Sequence, residues 1–151
     1  MPDSLSSDKK PVWPYAVIAL LSLVGLGDAI YLTVQDLTGQ NLRCTIISGC
    51  SEVLASKYAH IGPIPLATVG AGAYFVVFSL AILALFGYSF ARPLLMVLMV
   101  FMFLTTLWLL YLQAFVIRHF CQYCLLSAAV TTVITATVFA TGFGRRKGAG
   151  P

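Results

Sequence analysis

Charge is what this sequence has least of. Of its 151 residues only 9% are Asp, Glu, Lys or Arg, while 60% are hydrophobic and the mean hydropathy is +0.93. Soluble domains carry about 25% charged residues, and a chain this short cannot bury so much apolar surface by itself. A soluble globular fold is therefore excluded, and lipid must solvate the rest. The few basic residues form no nucleic-acid groove; they sit mostly at the ends of apolar stretches, where such residues set topology. No dinucleotide fingerprint is present, so a nicotinamide cofactor is not expected. Nor is there a convincing small-residue cleavage site after the first apolar stretch, which is too long for a signal-peptide core and reads as a retained helix. Cysteine is scarce as well, but its four copies fall into two close pairs: Cys44 and Cys50, then Cys121 and Cys124.

Four apolar spans are expected, over about residues 14–34, 66–86, 94–117 and 121–143. A stretch of about 21 residues at about 1.5 Å per residue covers roughly 31 Å, enough to cross a hydrocarbon core. The expected fold class is all-α and integral to the membrane: a four-transmembrane-helix bundle in one domain, 13–144. Residues 1–12 read as a disordered cytoplasmic tail and 145–151 as a basic cytoplasmic tail. The connection over 36–64 is more polar, and within it 51–58, with Val53, Leu54 and Tyr58, is expected to form a short interfacial helix. Gly62, Pro63 and Pro65 break the chain before the second span. Gly70 and Gly72 are expected to let helices approach closely, and 87–93 to form a turn. Trp13 and Tyr15 look like anchors at the inner membrane boundary.

Orientation follows from Lys and Arg alone. With four spans, the termini and the middle loop share a side, which holds Lys9, Lys10, Arg92, Arg145, Arg146 and Lys147. The opposite side holds only Arg43, Lys57 and Arg118. The positive-inside rule puts the termini in the cytoplasm and all four cysteines on the extracytoplasmic side of a cell membrane or at its boundary, an oxidising setting.

Cys121-Gln122-Tyr123-Cys124 is a C-x-x-C at a helix start. A spacing of three places both sulfurs on one face, one turn apart. Unpaired N–H groups and the helix dipole at that end stabilise a thiolate, and Arg118 and His119 are expected to add to the effect. Cys121 is expected near the surface and Cys124 deeper, facing the bundle. Cys44 and Cys50 close a small loop that contains Gly49 and can be bridged by a disulfide. A mobile pair beside a fixed one suits a relay by thiol–disulfide exchange.

Strongly oxidising partners in such relays sit near about −120 mV, so their electrons must flow to something more positive. A lipid-soluble quinone meets that need and reaches Cys124 through the bilayer. Two other readings use the same residues. The disulfides could only brace the fold, although a C-x-x-C bridge on a helix is strained and labile. The four thiolates, with His60 or His119, could hold zinc, although five residues rather than two to four separate the first pair.

Several pieces, in order, resemble the vitamin K epoxide reductase family in its small prokaryotic form. They are Tyr31-Leu32-Thr33; Cys44 and Cys50 followed by 51–58; 62–65 and Gly70; and Tyr111-Leu112-Gln113 leading to Cys121-Gln122-Tyr123-Cys124-Leu125-Leu126-Ser127. The resemblance covers about residues 27–129. It implies a bundle around a quinone such as ubiquinone or menaquinone, with Cys121 and Cys124 as the active pair and Cys124 beside the ring. It also implies Cys44 and Cys50 as the shuttle pair, and Ser56 in the loop helix near the quinone head group. Two departures stand out. Ala128 occupies the place of a Tyr in animal members, four residues after the second C-x-x-C cysteine, and apolar Leu66 lies near the level of a polar residue on their second helix. Both favour ordinary quinone reduction coupled to disulfide formation over vitamin K epoxide reduction. Many prokaryotic relatives carry a fused thioredoxin-like domain; this chain ends at Pro151, so such a partner is expected in trans.

Three further residues stand out. Asp28 is the only acid inside a span, and acids there serve either as proton routes or as structural hydrogen-bond partners. Trp108 and Tyr111, toward the outer end of the third span, either pack or line the quinone pocket, and they are carried here as lining residues together with Ser56, Leu66, Cys124 and Ala128.

Overall fold

In lipid, every backbone N–H and C=O must find its partner inside the protein, and long helices do this within one segment. A computed structural model describes residues 13–38, 60–118 and 121–148. The expected N-terminal tail, residues 149–151, the loop helix over 51–58, Cys44, Cys50, Ser56 and His119 lie outside the described residues, whereas residues 145–148, expected in the C-terminal tail, continue the last helix. Among the described residues, four helices are long and apolar enough to cross a membrane. They are α1 (Trp13–Thr38), α2 (Leu66–Leu85), α3 (Ala91–Tyr111), prolonged by a π-helical segment (Leu112–Ile117), and α4 (Gln122–Gly148). A two-residue hairpin precedes α2: β1 (His60–Ile61) pairs antiparallel with β2 (Ile64–Pro65), His60 opposite Pro65 and Ile61 opposite Ile64. Its turn needs a positive φ at the first central residue, and Gly62 supplies it at 63°.

The boundaries differ from expectation for local reasons. Helix α3 starts at Ala91 and takes in Pro93, which costs nothing in a first turn where N–H groups have no intrahelical acceptor. The α2–α3 turn is correspondingly tight. Gly87, at φ 96°, donates its N–H to the Ala84 carbonyl at 3.1 Å, and Tyr88 donates to the Leu83 carbonyl at 3.1 Å. These two bonds are those of a Schellman motif.

The helices pack in a ring: α1 against α2 and α4, and α3 against α2 and α4. Small residues line the seams, with Ala19, Ala29, Ala81, Ala84 and Ala91 all buried, as expected where packing rather than water drives helix association. Gly70 and Gly72 do not serve this purpose, because a Cβ at either would meet nothing within 4 Å. The close approach is made at Gly25, where a Cβ would overlap the ring of Tyr74. Tyr15 is another departure. It is buried in the bundle with the Arg92 guanidinium over its ring at 5.9 Å, while Trp13 is exposed. Large apolar side chains such as Leu20, Val97 and Phe101 point outward, as lipid-facing residues do.

Candidate active site

Cys121 sits one residue ahead of α4, outside the span that begins at Gln122. Its carbonyl accepts the Leu125 N–H at 2.9 Å, the first bond of the helix, so Cys121 is the N-cap. An N-cap side chain receives the free N–H groups of the first turn. Here the Cys121 sulfur takes a hydrogen bond from the Cys124 side chain, together with the backbone N–H groups of Cys124 and Tyr123. The Cys124 hydrogen bond is the largest influence on the Cys121 thiol. With help from the two N–H groups it outweighs burial and brings the pKa down to about 7. Arg118 is exposed and is not among the groups that lower it, contrary to the expected contribution. Neither Cys121 nor Cys124 is in a disulfide.

Cys121 is not near the surface as expected, while Cys124 faces the bundle as expected and lines its cavity. Cys121 is fully buried and Cys124 partly so. The N-cap is tucked into the end of the bundle, where Leu32, Ala67, Ile117 and Tyr123 close over it, and Tyr123 stands against Tyr31 with ring centroids 5.2 Å apart. The π-helical segment brings the chain to this point. A π-turn widens the helix by one residue per turn. It carries buried Gln113, whose Oε1 accepts the Cys121 N–H at 3.1 Å. Arg118, at φ 60°, turns the chain out of the segment toward α4.

Beside the dithiol lies a mainly apolar cavity of about 140 Å³ between the four helices. Cys124 lines it, while Cys121 stands behind Cys124 and does not. Among the expected lining residues, Leu66 and Ala128 are on its wall. Trp108 and Tyr111 are not. They are 58% and 50% exposed and stack on one another at 5.8 Å, with Phe115 next to Tyr111. The cause is helical geometry: Thr106, Leu109, Leu110 and Gln113 face the cavity at spacings of three and four, which turns 108, 111 and 115 toward the opposite side.

The structure adds residues that the sequence did not single out for the site. Tyr74 of α2 reaches across to α4, where its hydroxyl donates to the Ser127 carbonyl at 3.0 Å and lies 2.7 Å from Ser127 Oγ and 2.8 Å from Thr131 Oγ1. Tyr74, Ser127 and Gln113 all line the cavity, and so does Asp28. A tyrosine in a helix that is otherwise apolar was a signal available in the sequence. Its partner Gly25, more than three turns into α1, was not recognisable as such.

A multi-pass bundle with a dithiol at one helix N-terminus, facing an apolar cavity between the helices, defines the class: a membrane protein built for redox chemistry inside the bilayer. The model of the vitamin K epoxide reductase family matches residues 16–139, and the chain belongs to that family. Its members are membrane-bound oxidoreductases linked to quinones. The match extends from the first turn of α1 through the first two thirds of α4 and therefore takes in the whole cavity.

Proposed function

We propose that the protein is a quinone-dependent thiol–disulfide oxidoreductase that takes electrons from a reduced thioredoxin-like partner in trans. In this reading they pass through Cys44 and Cys50 to Cys121 and Cys124, and then to a membrane quinone, supporting disulfide formation in secreted proteins. One observation carries the reading: Cys124 is on the wall of a mainly apolar cavity of about 140 Å³, with a low-pKa thiol directly behind it. An apolar cavity of about 150 Å³ holds a benzene ring, so this space is about the size of a single six-membered ring. Asp28, on the same wall and with its buried Oδ2 unpartnered among the described residues, offers a carboxyl group to a quinone oxygen. The apolar side chains of Leu66 and Ala128 favour quinone over quinone epoxide as the acceptor.

A bound quinone supplies an acceptor for two electrons and two protons. The protein supplies the rest. Gln113 fixes the backbone of Cys121, and the first turn of α4 stabilises its thiolate. As the Cys121–Cys124 S–S bond forms, the Cys124 S–H bond breaks, and the two electrons and that proton would pass to the acceptor by way of Cys124, the sulfur that lines the cavity. The segment over 39–59 joins the end of α1 to the hairpin before α2. Cys44 follows Thr38 by six residues, a reach of up to about 20 Å.

The experiment is quinone consumption by purified protein with a reduced thioredoxin-like partner and a short-chain quinone. Cys124→Ala should abolish turnover. Cys44→Ala and Cys50→Ala should stop partner oxidation but leave quinone reduction intact when a small dithiol is the reductant. Full turnover by Cys124→Ala would overturn the reading.

A further inference from the structure

Reducing a quinone takes two protons as well as two electrons, and the dithiol by itself presents only one sulfur to the cavity. Asp28 is the acid that faces the same space. It is 9% exposed, lies on the cavity wall, and its Oδ2 has no hydrogen-bond partner among the described residues. Other polar groups on the wall are engaged: the Tyr74 hydroxyl with Ser127 and Thr131, and Gln113 with the Cys121 amide. Helix α1 extends to Thr38, ten residues beyond Asp28, or about 15 Å of helix. The short side chain therefore does not snorkel along the helix; it turns into the bundle. A structural hydrogen-bonding role would give the buried carboxyl oxygen a partner, and Oδ2 has none among the described residues.

The ionisable groups that share the cavity with Asp28 are Tyr74 from α2 and Cys124 from α4, and α3 contributes only Thr106, Leu109 and Leu110. Among the described residues no Lys, Arg or His lines it. A carboxylate facing an apolar space with no cation is costly, so the protonated acid is the form that this wall favours. We propose that Asp28, as a carboxylic acid, is the proton donor to the quinone oxygen remote from Cys124. The inference rests on the quinone-reductase reading above. The step balances: Cys121 thiolate, Cys124 thiol, quinone and Asp28 carboxylic acid give the Cys121–Cys124 disulfide, quinol and Asp28 carboxylate. The acid O–H and the Cys124 S–H bonds break, two quinol O–H bonds and one S–S bond form, and two electrons pass from sulfur to quinone. Asp28 is reprotonated when the dithiol is next reduced.

The test uses the full-length protein, reduced and supplied with a short-chain benzoquinone. Three quantities are read: quinone affinity in a Cys124→Ala background, the single-turnover rate of quinone loss, and the carboxylic-acid C=O stretch in the infrared difference spectrum. The expected result is that Asp28→Asn binds quinone comparably but reduces it about 100-fold or more slowly, the usual contribution of a positioned acid. Asp28→Glu should restore most of the rate. Wild type should lose the carboxylic-acid band on turnover, and Asp28→Asn should have no such change. A wild-type rate in Asp28→Asn, or a wild-type spectrum with no carboxylic-acid change, overturns the proposal and leaves the quinone-reductase reading standing. Absence of quinone reduction by wild type overturns both.

Discussion

Two glycines show how much one missing methyl group can decide here. Gly25 lacks a side chain so that Tyr74 can fill the space beside it, whereas Gly70 lacks one and leaves part of the cavity open. Their alanine and leucine variants should therefore fail in different ways. Gly25→Ala forces the Tyr74 ring aside and should destabilise the bundle by about 1–3 kcal/mol, read as a lower midpoint of thermal unfolding in detergent. Gly70→Leu should leave that midpoint nearly unchanged yet weaken quinone binding tenfold or more, about 1.4 kcal/mol for each tenfold. Equal loss of stability in both variants would mean that the cavity is not the acceptor's site. The sequence placed Gly70 correctly at the start of the second span but read it as a packing residue. Packing and cavity glycines look the same until the neighbour is known.

Among the elements, the π-helical segment at the end of α3 has the most consequence for the site. A regular α-helix from Ala91 onward would put residue 113 elsewhere around the axis. The widened turn lets Gln113 reach the amide of Cys121 instead. Gln113→Leu should leave that buried N–H without a partner, at a cost of about 1–3 kcal/mol. The dithiol-to-quinone rate should fall as well, while quinone affinity stays close to wild type. An unchanged rate would show that the N-cap holds its geometry without help. Little of this element was legible beforehand. All four spans could be read because length and hydropathy suffice for them, and the C-x-x-C could be placed at a helix start because Arg118-His119-Phe120 interrupts the apolar run. A π-turn has no such marker; it arises where the packing of one helix end on another demands an extra residue.

At the scale of the whole molecule, sidedness is the property that function needs most. The relay requires Cys44 and Cys50 on the extracytoplasmic side, with both termini in the cytoplasm, as the balance of six basic residues against three favours. In cells that carry a version with its other cysteines changed to alanine, Cys44 alone should react with a membrane-impermeant thiol reagent. Ser4→Cys in a cysteine-free background should react only after the cells are opened. The reverse pattern would remove the oxidising compartment from the mechanism. What the sequence determined by itself was this large-scale plan: the number of spans and a C-x-x-C at the mouth of the last one. Hydropathy dictates these features because water and lipid discriminate strongly between polar and apolar segments. Only the tertiary structure decided which side of each helix faces inward, and hence that Asp28 and Tyr74 meet at the cavity while Trp108 and Tyr111 turn away from it. The physical reason is that lipid is as apolar as the bundle interior, so inward and outward faces carry the same kind of residue and no amphipathic period separates them.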